Sequence, residues 1–244
     1  MQQFYLSSLS KNDSEIHFDK NESKHISKVL RKKVGDPISI TNGVGYRFSA
    51  TLSNVDHKGC TAIINQCVEI SPDPYQLHVF IAPTKSNDRM DWFVEKATEI
   101  GVHEITPIIC QRSDRKVIKQ ERLQKIAIAA MKQSMGTYLP IIHPACDYTK
   151  SLSNVKGTAC IAHCQDTNKV VIDKLSIKDK SISIFIGPEG DFTLEEIQAA
   201  ADVNVTAVKL GEKRLRTETA GIIACHSISL LSLIHISEPT RPLT

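Results

Sequence analysis

Before residue 72, apolar and polar positions alternate in short stretches, the period-two signature of strands with one buried face. Candidate strands are 2–6, 15–18, PISITNG at 37–43, GYRFSATLSNV at 45–55 and GCTAIINQCVEI at 59–70. Asn42-Gly43 and the turn ending at Gly59 separate the later ones. One helical pattern interrupts them at 21–32, with His25, Ile26, Val29 and Leu30 on its apolar side. This many short strands predict a small β-barrel. SPDPY at 71–75 breaks the pattern with two prolines and sets a boundary between domains at 1–72 and 75–232.

Beyond that boundary the strand candidates become continuous apolar runs, the mark of strands buried on both faces of a parallel sheet. They are LHVFIA at 77–82, EITPII at 104–109, TACIAH at 158–163, SISIFI at 181–186 and VTAVKL at 205–210. Helical spacing lies between several of them. Residues 88–100 align Met90, Val94 and Ala97, with Gly101 as a stop, and 120–135 align Leu123, Ile126, Ala127, Ala130 and Ser134. TLEE at 193–196 is a capping box opening a helix at 194–201. Residues 218–232 are apolar nearly all round, which predicts burial against the sheet or a second subunit. The alternation of strand and helix predicts a doubly wound α/β domain. SLIHISEPTRPLT has two prolines and no periodicity, so 233–244 reads as a cloning-derived tail.

Composition narrows the picture only a little. Of 244 residues 41% are hydrophobic and 23% charged, and a formal charge of +3 leaves any basic surface local. Seven cysteines include no CxxC pair, so neither a disulfide framework nor a structural zinc site is expected, and no metal is assigned. No segment reads as a signal peptide or spanning helix, so no membrane partner and a reducing cytoplasmic location are expected.

The chemistry concentrates in loops that follow strands, where open α/β sheets bind ligands. Three qualify: after His163, after Ile186 (GPEGDF) and after Leu210 (GEKRLRTETA). The second has the outline of a phosphate loop with the wrong content. No GxGxxG or GxxxxGK[ST] occurs in the chain, Pro188 removes a backbone donor, and Glu189 and Asp191 would repel an anion. A cationic or zwitterionic ligand suits it better, although a Gly turn can also be a plain connector. The third loop crowds Lys213, Arg214, Arg216 and Glu218 beside Gly211, with Thr217 as a candidate helix cap.

FIGPEGDFTLEE, LGEKRLRTETA and DRMDWFVEKATEIGV (88–102) resemble the three motifs of RsmE-type 16S ribosomal RNA methyltransferases, of the SPOUT class. QKIAIAAMKQS at 124–134 and HISKVLRKKVGD at 25–36 match as well, and the resemblance spans 1–232. It implies S-adenosyl-L-methionine-dependent methylation of N3 of one uridine in 16S rRNA or the small ribosomal subunit. It also implies a homodimer, a PUA-like barrel, and a SPOUT domain with a C-terminal trefoil knot. The cofactor, which carries no phosphate, would be held mainly by backbone at His163, at Ile186, Gly187, Glu189 and Gly190, and at Leu210, Gly211, Leu215, Arg216 and Thr217. The loop around residue 213 departs slightly from the commonest family form, but LRTETA stands.

Methylating an imide nitrogen calls for a cation near the uracil oxygens and an acceptor for the N3 proton. Arg216 is the candidate cation. Glu218 is the candidate base, or orients Arg216, or simply satisfies a helix N-terminus. Arg89, near a helix start in the first matching motif, is a candidate for reaching the target nucleotide. It shares a helical face with Lys96, which Glu99 can turn into a plain ion-pair face. RNA contacts are expected at Lys24, His25, Arg31 and Lys32, in a stretch with five basic residues and no acid. They are also expected at Lys96, and at Arg112 in a second basic stretch over 111–125. The competing possibilities are a nucleotide-dependent oxidoreductase or kinase, which lacks its glycine loop here, and a non-catalytic rRNA-binding or ribosome assembly factor.

Overall fold

The alternating stretches form strands because each has one side apolar enough to bury. The computed structural model describes residues 3–177 and 179–237. It divides into two compact units, Met1–Pro72 with Met131–Leu139, and Asp73–Ala130 with Pro140–Thr244.

The first unit contains β1 (Gln3–Tyr5), β2 (Glu15–His17), α1 (Lys20–Lys24), β3 (Pro37–Thr41), β4 (Tyr46–Asn54) and β5 (Thr61–Glu69). The sheet order is β1-β3-β4-β5-β2, parallel between β1 and β3 and antiparallel elsewhere. In β4 the alternation is direct: Phe48, Ala50 and Leu52 are buried in a core with Phe4, Ile16, Ile26, Ile38 and Ile40. The helix expected at 21–32 is shorter and changes form. Asp19 caps α1 by accepting from Glu22 N at 2.8 Å, a π-helical turn follows over His25–Val29, and Arg31 ends it at φ 51°. A π turn inserts an extra residue and shifts the helical phase, so Val29, expected on the apolar side, is 68% exposed. Ile26 keeps its place in the core.

Met131–Leu139 joins this unit through side chains that bond its backbone. Gln3 Nε2 donates to Gly136 O and Arg47 Nη2 to Met135 O, both at 2.7 Å. The Tyr138 hydroxyl donates to Ile70 O at 2.7 Å, over Gly45, which has φ 98° and no room for a Cβ under that ring.

The second unit begins with β6 (Gln76–Ile81), α2 (Asn87–Ile100), β7 (Glu104–Ile109) and α3 (Gln120–Gln133), whose last turn counts with the first unit. β8 (Ile141–Ile142), β9 (Cys146–Asp147), α4 (Tyr148–Leu152), β10 (Thr158–Ala162) and β11 (Val170–Val171) follow. β12 (Ser181–Ile186), α5 (Leu194–Asp202), β13 (Thr206–Lys209) and α6 (Thr217–Ser237) complete it. Every recorded pairing is parallel, in the order β11-β13-β10-β12-β6-β7-β8, with β9 also on β7. Phe80 and Phe185 stack at 4.5 Å in its core with Ile108, Ile161, Tyr148 and Phe192.

Local signals end and start these helices. Gly101, at φ 103°, caps α2 in the left-handed conformation. Thr193 and Glu196 form the reciprocal capping box of α5, at 3.2 and 2.9 Å. α6 buries Ala224, Cys225 and Ile228, but Leu230 is 46% exposed, so within the chain it is buried along one side rather than all round. Residues 233–237, expected as part of a tail, continue α6; the rest of that tail, 238–244, lies outside the described residues. Among the described residues no helix is long and apolar enough to cross a membrane.

Candidate active site

Because β13, β10 and β12 are neighbours and run parallel, the loops leaving Ala162, Ile186 and Lys209 emerge side by side. They enclose a cavity of about 770 Å³, in the size range of small-molecule sites. His163, Ile186, Gly187, Glu189, Leu210, Gly211, Leu215, Arg216 and Thr217 all line it, so the residues expected to hold a cofactor come together from all three loops. Gly190 does not line it. Lys169 and Lys213 do, and sequence reasoning missed both; Lys169 had only its basic type to mark it, and Lys213 was noted only for its loop's charge.

The acids in the turn bind the protein to itself. Asp191, in the left-handed region at φ 63°, accepts from Cys164 N through Oδ2 and from Phe192 N through Oδ1, each at 2.9 Å. It thereby clips the loop after β10 to the loop after β12. Glu189 Oε1 accepts from Lys85 N at 3.0 Å. The carbonyls of the same turn are also taken. Thr217 Oγ1 donates to Gly187 O at 3.0 Å, Arg214 Nη2 to Glu189 O at 3.2 Å, and Arg112 Nη1 to Gly190 O at 3.0 Å. A loop with this many backbone groups fixed is pre-shaped before anything enters it.

Three expectations change here. Thr217 is not the cap of α6: it is the first helical residue, and its hydroxyl is spent on Gly187 O. Gly190, expected at the cofactor, stands off the cavity against Arg112, whereas Gly187 lines the cavity and also leaves room for the Phe192 ring. A Cβ at Gly187 would stand 3.0 Å from the Phe192 ring, and one at Gly190 3.1 Å from Arg112 Cβ. Gly211 is the one in the open, with nothing within 4 Å of a Cβ. Glu218 faces Arg89 rather than Arg216: its Oε1 lies 3.7 Å from Arg89 Nε.

Arg216 itself is exposed at the cavity wall, and among the described residues its guanidinium has no ion-pair partner. Glu218 is buried at the first turn of α6, with Oε2 unpartnered among the described residues, while the Arg89 side chain is 41% exposed. Neither Arg89 nor Glu218 lines the cavity. His163 is buried with both ring nitrogens unpartnered among the described residues, and its carbonyl accepts from Lys169 Nζ at 3.3 Å. Burial, and then the Lys169 charge, push its imidazole pKa below the ordinary value, so it is neutral at pH 7.

The expected RNA contacts are distributed over both units. Lys24 and Arg31 are exposed and Lys32 and His25 half-buried on the first unit, with Lys32 Nζ 3.4 Å from Pro37 O. On the second, Lys96 is held between Glu95 at 2.7 Å and Glu99 at 3.0 Å, which raise its pKa and cancel its charge locally. It is the ion-pair face that its spacing allowed. Arg112 is anchored on Gly190.

A preformed cavity at adjacent strand ends, without a glycine-rich phosphate loop, is what a methyltransferase of this architecture requires. The chain belongs to the RNA methyltransferase family: the family's domain model matches residues 71–229, and an RNA methyltransferase PUA domain model matches 18–65. Its relatives there carry the name ribosomal RNA small subunit methyltransferase E, or RsmE. The one from Rickettsia conorii is 29% identical over 232 residues, 93% of this chain and 94% of that protein. Among solved structures, a probable rRNA-methyltransferase from Porphyromonas gingivalis is 32% identical, with a TM-score of 0.88 over 96% of this chain and 100% of its own. The Neisseria gonorrhoeae RsmE, solved bound to S-adenosyl methionine, is 27% identical, with a TM-score of 0.86 over 95% of this chain and 98% of its own. The second unit is accordingly a SPOUT-type methyltransferase domain and the first a PUA-like one.

Proposed function

We propose that the protein transfers a methyl group from S-adenosyl-L-methionine to N3 of one uridine in 16S rRNA. The observation that carries this is the cavity walled by three strand-end loops, in a fold whose 27% identical relative is solved with that cofactor. The residues fit the group. The cavity is large enough, Asp191 and one oxygen of Glu189 are taken up by backbone N–H groups of other loops, and the turn holding Pro188 offers no phosphate cradle. His163, Gly187, Leu210, Gly211 and Leu215 would hold it, chiefly through backbone and apolar surface. When bound, S-adenosyl-L-methionine supplies an electrophilic methyl group on a sulfonium.

The chain's own residues supply the rest. Arg216, exposed at the wall and free of a carboxylate partner among the described residues, sits beside a uracil oxygen and stabilises the charge that develops as N3 loses its proton. Glu218 Oε2, buried and unpartnered there, accepts that proton. Glu218 Oε1 meanwhile holds Arg89, whose exposed guanidinium meets a phosphate of the target strand. Lys24, His25, Arg31 and Lys32 add sequence-independent phosphate contacts from the PUA-like unit.

The same reading extends to a trefoil knot, a homodimer and a cytoplasmic location. The exposed Leu230 on α6 supports a second copy. Incubating the protein with S-adenosyl-L-methionine and small subunits lacking the modification, then mapping 16S rRNA by mass spectrometry, tests the activity. One 3-methyluridine per subunit is expected. Tight binding to the subunit without any gain of methyl would leave only an assembly or binding role.

A further inference from the structure

The parallel register of β6, β7 and β8 brings together three side chains far apart in sequence, on the strand-start side of the sheet rather than at the cavity. His78 is paired with Glu104 across β6 and β7, Glu104 is paired with Ile141 of β8, and His143 N donates to Ile105 O at 2.9 Å just beyond β8. Side chains two apart on a strand share a face, so His78, Glu104, Thr106 and His143 stand on the same one. The donor atoms of His78, Glu104 and His143 all lie within 4.8 Å of one another, and no other group of three such residues meets that test among the described residues.

We propose that His78, Glu104 and His143 form a divalent transition-metal site, with zinc the best-fitting ion. Two imidazoles and one carboxylate are a known zinc donor set, with a fourth position left for water. His78 Nδ1 lies 3.8 Å from Glu104 Oε2, and His143 Nε2 lies 2.7 Å from the same oxygen. Metal–ligand bonds of about 2.0–2.2 Å need the donors to separate to roughly 3.3 Å. The His143–Glu104 contact therefore opens slightly, within the reach of two half-buried side chains. The support around the donors is already built. His78 Nε2 lies 2.7 Å from Thr106 Oγ1, and the tautomer in which it donates there leaves the Nδ1 lone pair facing Glu104. The ring is held flat against Phe80 at 3.9 Å. The ion would tie β6, β7 and the exit of β8 into one bonded unit.

One charge opposes it. Lys156 acts electrostatically on both His78 and Glu104, and a second cation nearby is repelled. The absence of CxxC pairs gave no expectation of metal, because spacings of 26 and 39 residues become a site only through sheet register.

The test uses tag-free protein stripped with chelator, titrated with zinc sulfate and dialysed, with metal content read by mass spectrometry. The proposal expects one zinc per chain and a thermal midpoint that rises with zinc. His143→Ala and Glu104→Gln, checked for folding by circular dichroism, should bind at least about a hundredfold more weakly. Thr106→Val should weaken binding about tenfold, as loss of a ligand's hydrogen-bond partner does. Lys156→Gln should tighten it. The cobalt(II) form of the wild type should show visible d–d bands without a thiolate charge-transfer band. Wild-type protein that keeps no zinc, variants that keep it equally well, or a thiolate band placing the ion on cysteine would each overturn the proposal.

Discussion

Thr217 and Gly187, thirty positions apart, are joined by a 3.0 Å hydrogen bond from the threonine hydroxyl to the glycine carbonyl. Both residues are buried, and both line the cavity. The bond fixes the start of α6 to the loop after β12, so the two most residue-rich walls of the cavity cannot separate without breaking it. Thr217→Val keeps the shape and removes the donor. An unpaired buried carbonyl costs about 1–3 kcal/mol. We expect a thermal midpoint lower by a few degrees and a roughly tenfold loss of S-adenosyl-L-methionine affinity by calorimetry. Unchanged affinity would mean the loop holds its form without the pin.

Asp191 is the second tie, and its substitution separates charge from geometry. Asparagine tolerates the left-handed backbone at φ 63°, so Asp191→Asn adds no backbone strain. It can, however, accept with only one oxygen, and either Cys164 N or Phe192 N is left facing an amide NH₂. The expected cost is about 1–3 kcal/mol, read by urea denaturation, together with weaker cofactor binding. A variant with wild-type stability and binding would show that the clip between the loops is dispensable.

These ties explain which parts of the site could be read in advance. The three loops were legible because glycine turns, charged residues and strand ends leave marks in one sequence. The capping box of α5 was legible for the same reason: its two partners are three residues apart. The role of Thr217 was not. A threonine before an apolar helix looks like a cap, and only the neighbouring loop reveals another acceptor. Asp191 looked like an obstacle to an anion because its partner, Cys164 N, is twenty-seven positions away. Likewise nothing local marks Met131–Leu139 for the first unit, since it is held by Gln3, Arg47 and Tyr138 through bonds to distant backbone. The strands β8, β9 and β11, of two residues each, are too short to carry any period.

Arg216 offers the cleanest separation of chemistry from folding. It is exposed and, among the described residues, without an ion-pair partner, so Arg216→Ala should move stability by no more than about 0.5 kcal/mol. Loss of one donor aimed at developing charge costs roughly a hundred- to a thousandfold in turnover. Arg216→Lys keeps the charge without the planar fork and should fall between the two. Single-turnover methyl transfer to undermethylated small subunits measures both. Full activity in the alanine variant would remove Arg216 from the mechanism.

Gly221 tests how the long helix is seated. It lies in the second turn of α6, where glycine is a poor helix former, and exchange for alanine would ordinarily stabilise an exposed helix by about 1 kcal/mol. Here an added Cβ would stand 2.5 and 2.8 Å from ring carbons of Phe93 on α2, and 3.1 Å from Ile81 Cδ1 at the end of β6. Phe93 and Ile81 are fully buried, so neither can swing into solvent to make room. Forcing a methyl group into a packed contact costs about 1–3 kcal/mol, which outweighs the gain in propensity. Gly221→Ala should therefore lower the urea midpoint at unchanged m-value, the sign opposite to the helix-propensity expectation. A variant more stable than the wild type would show that α6 can lift from α2, and that the contact is looser than the ring positions require.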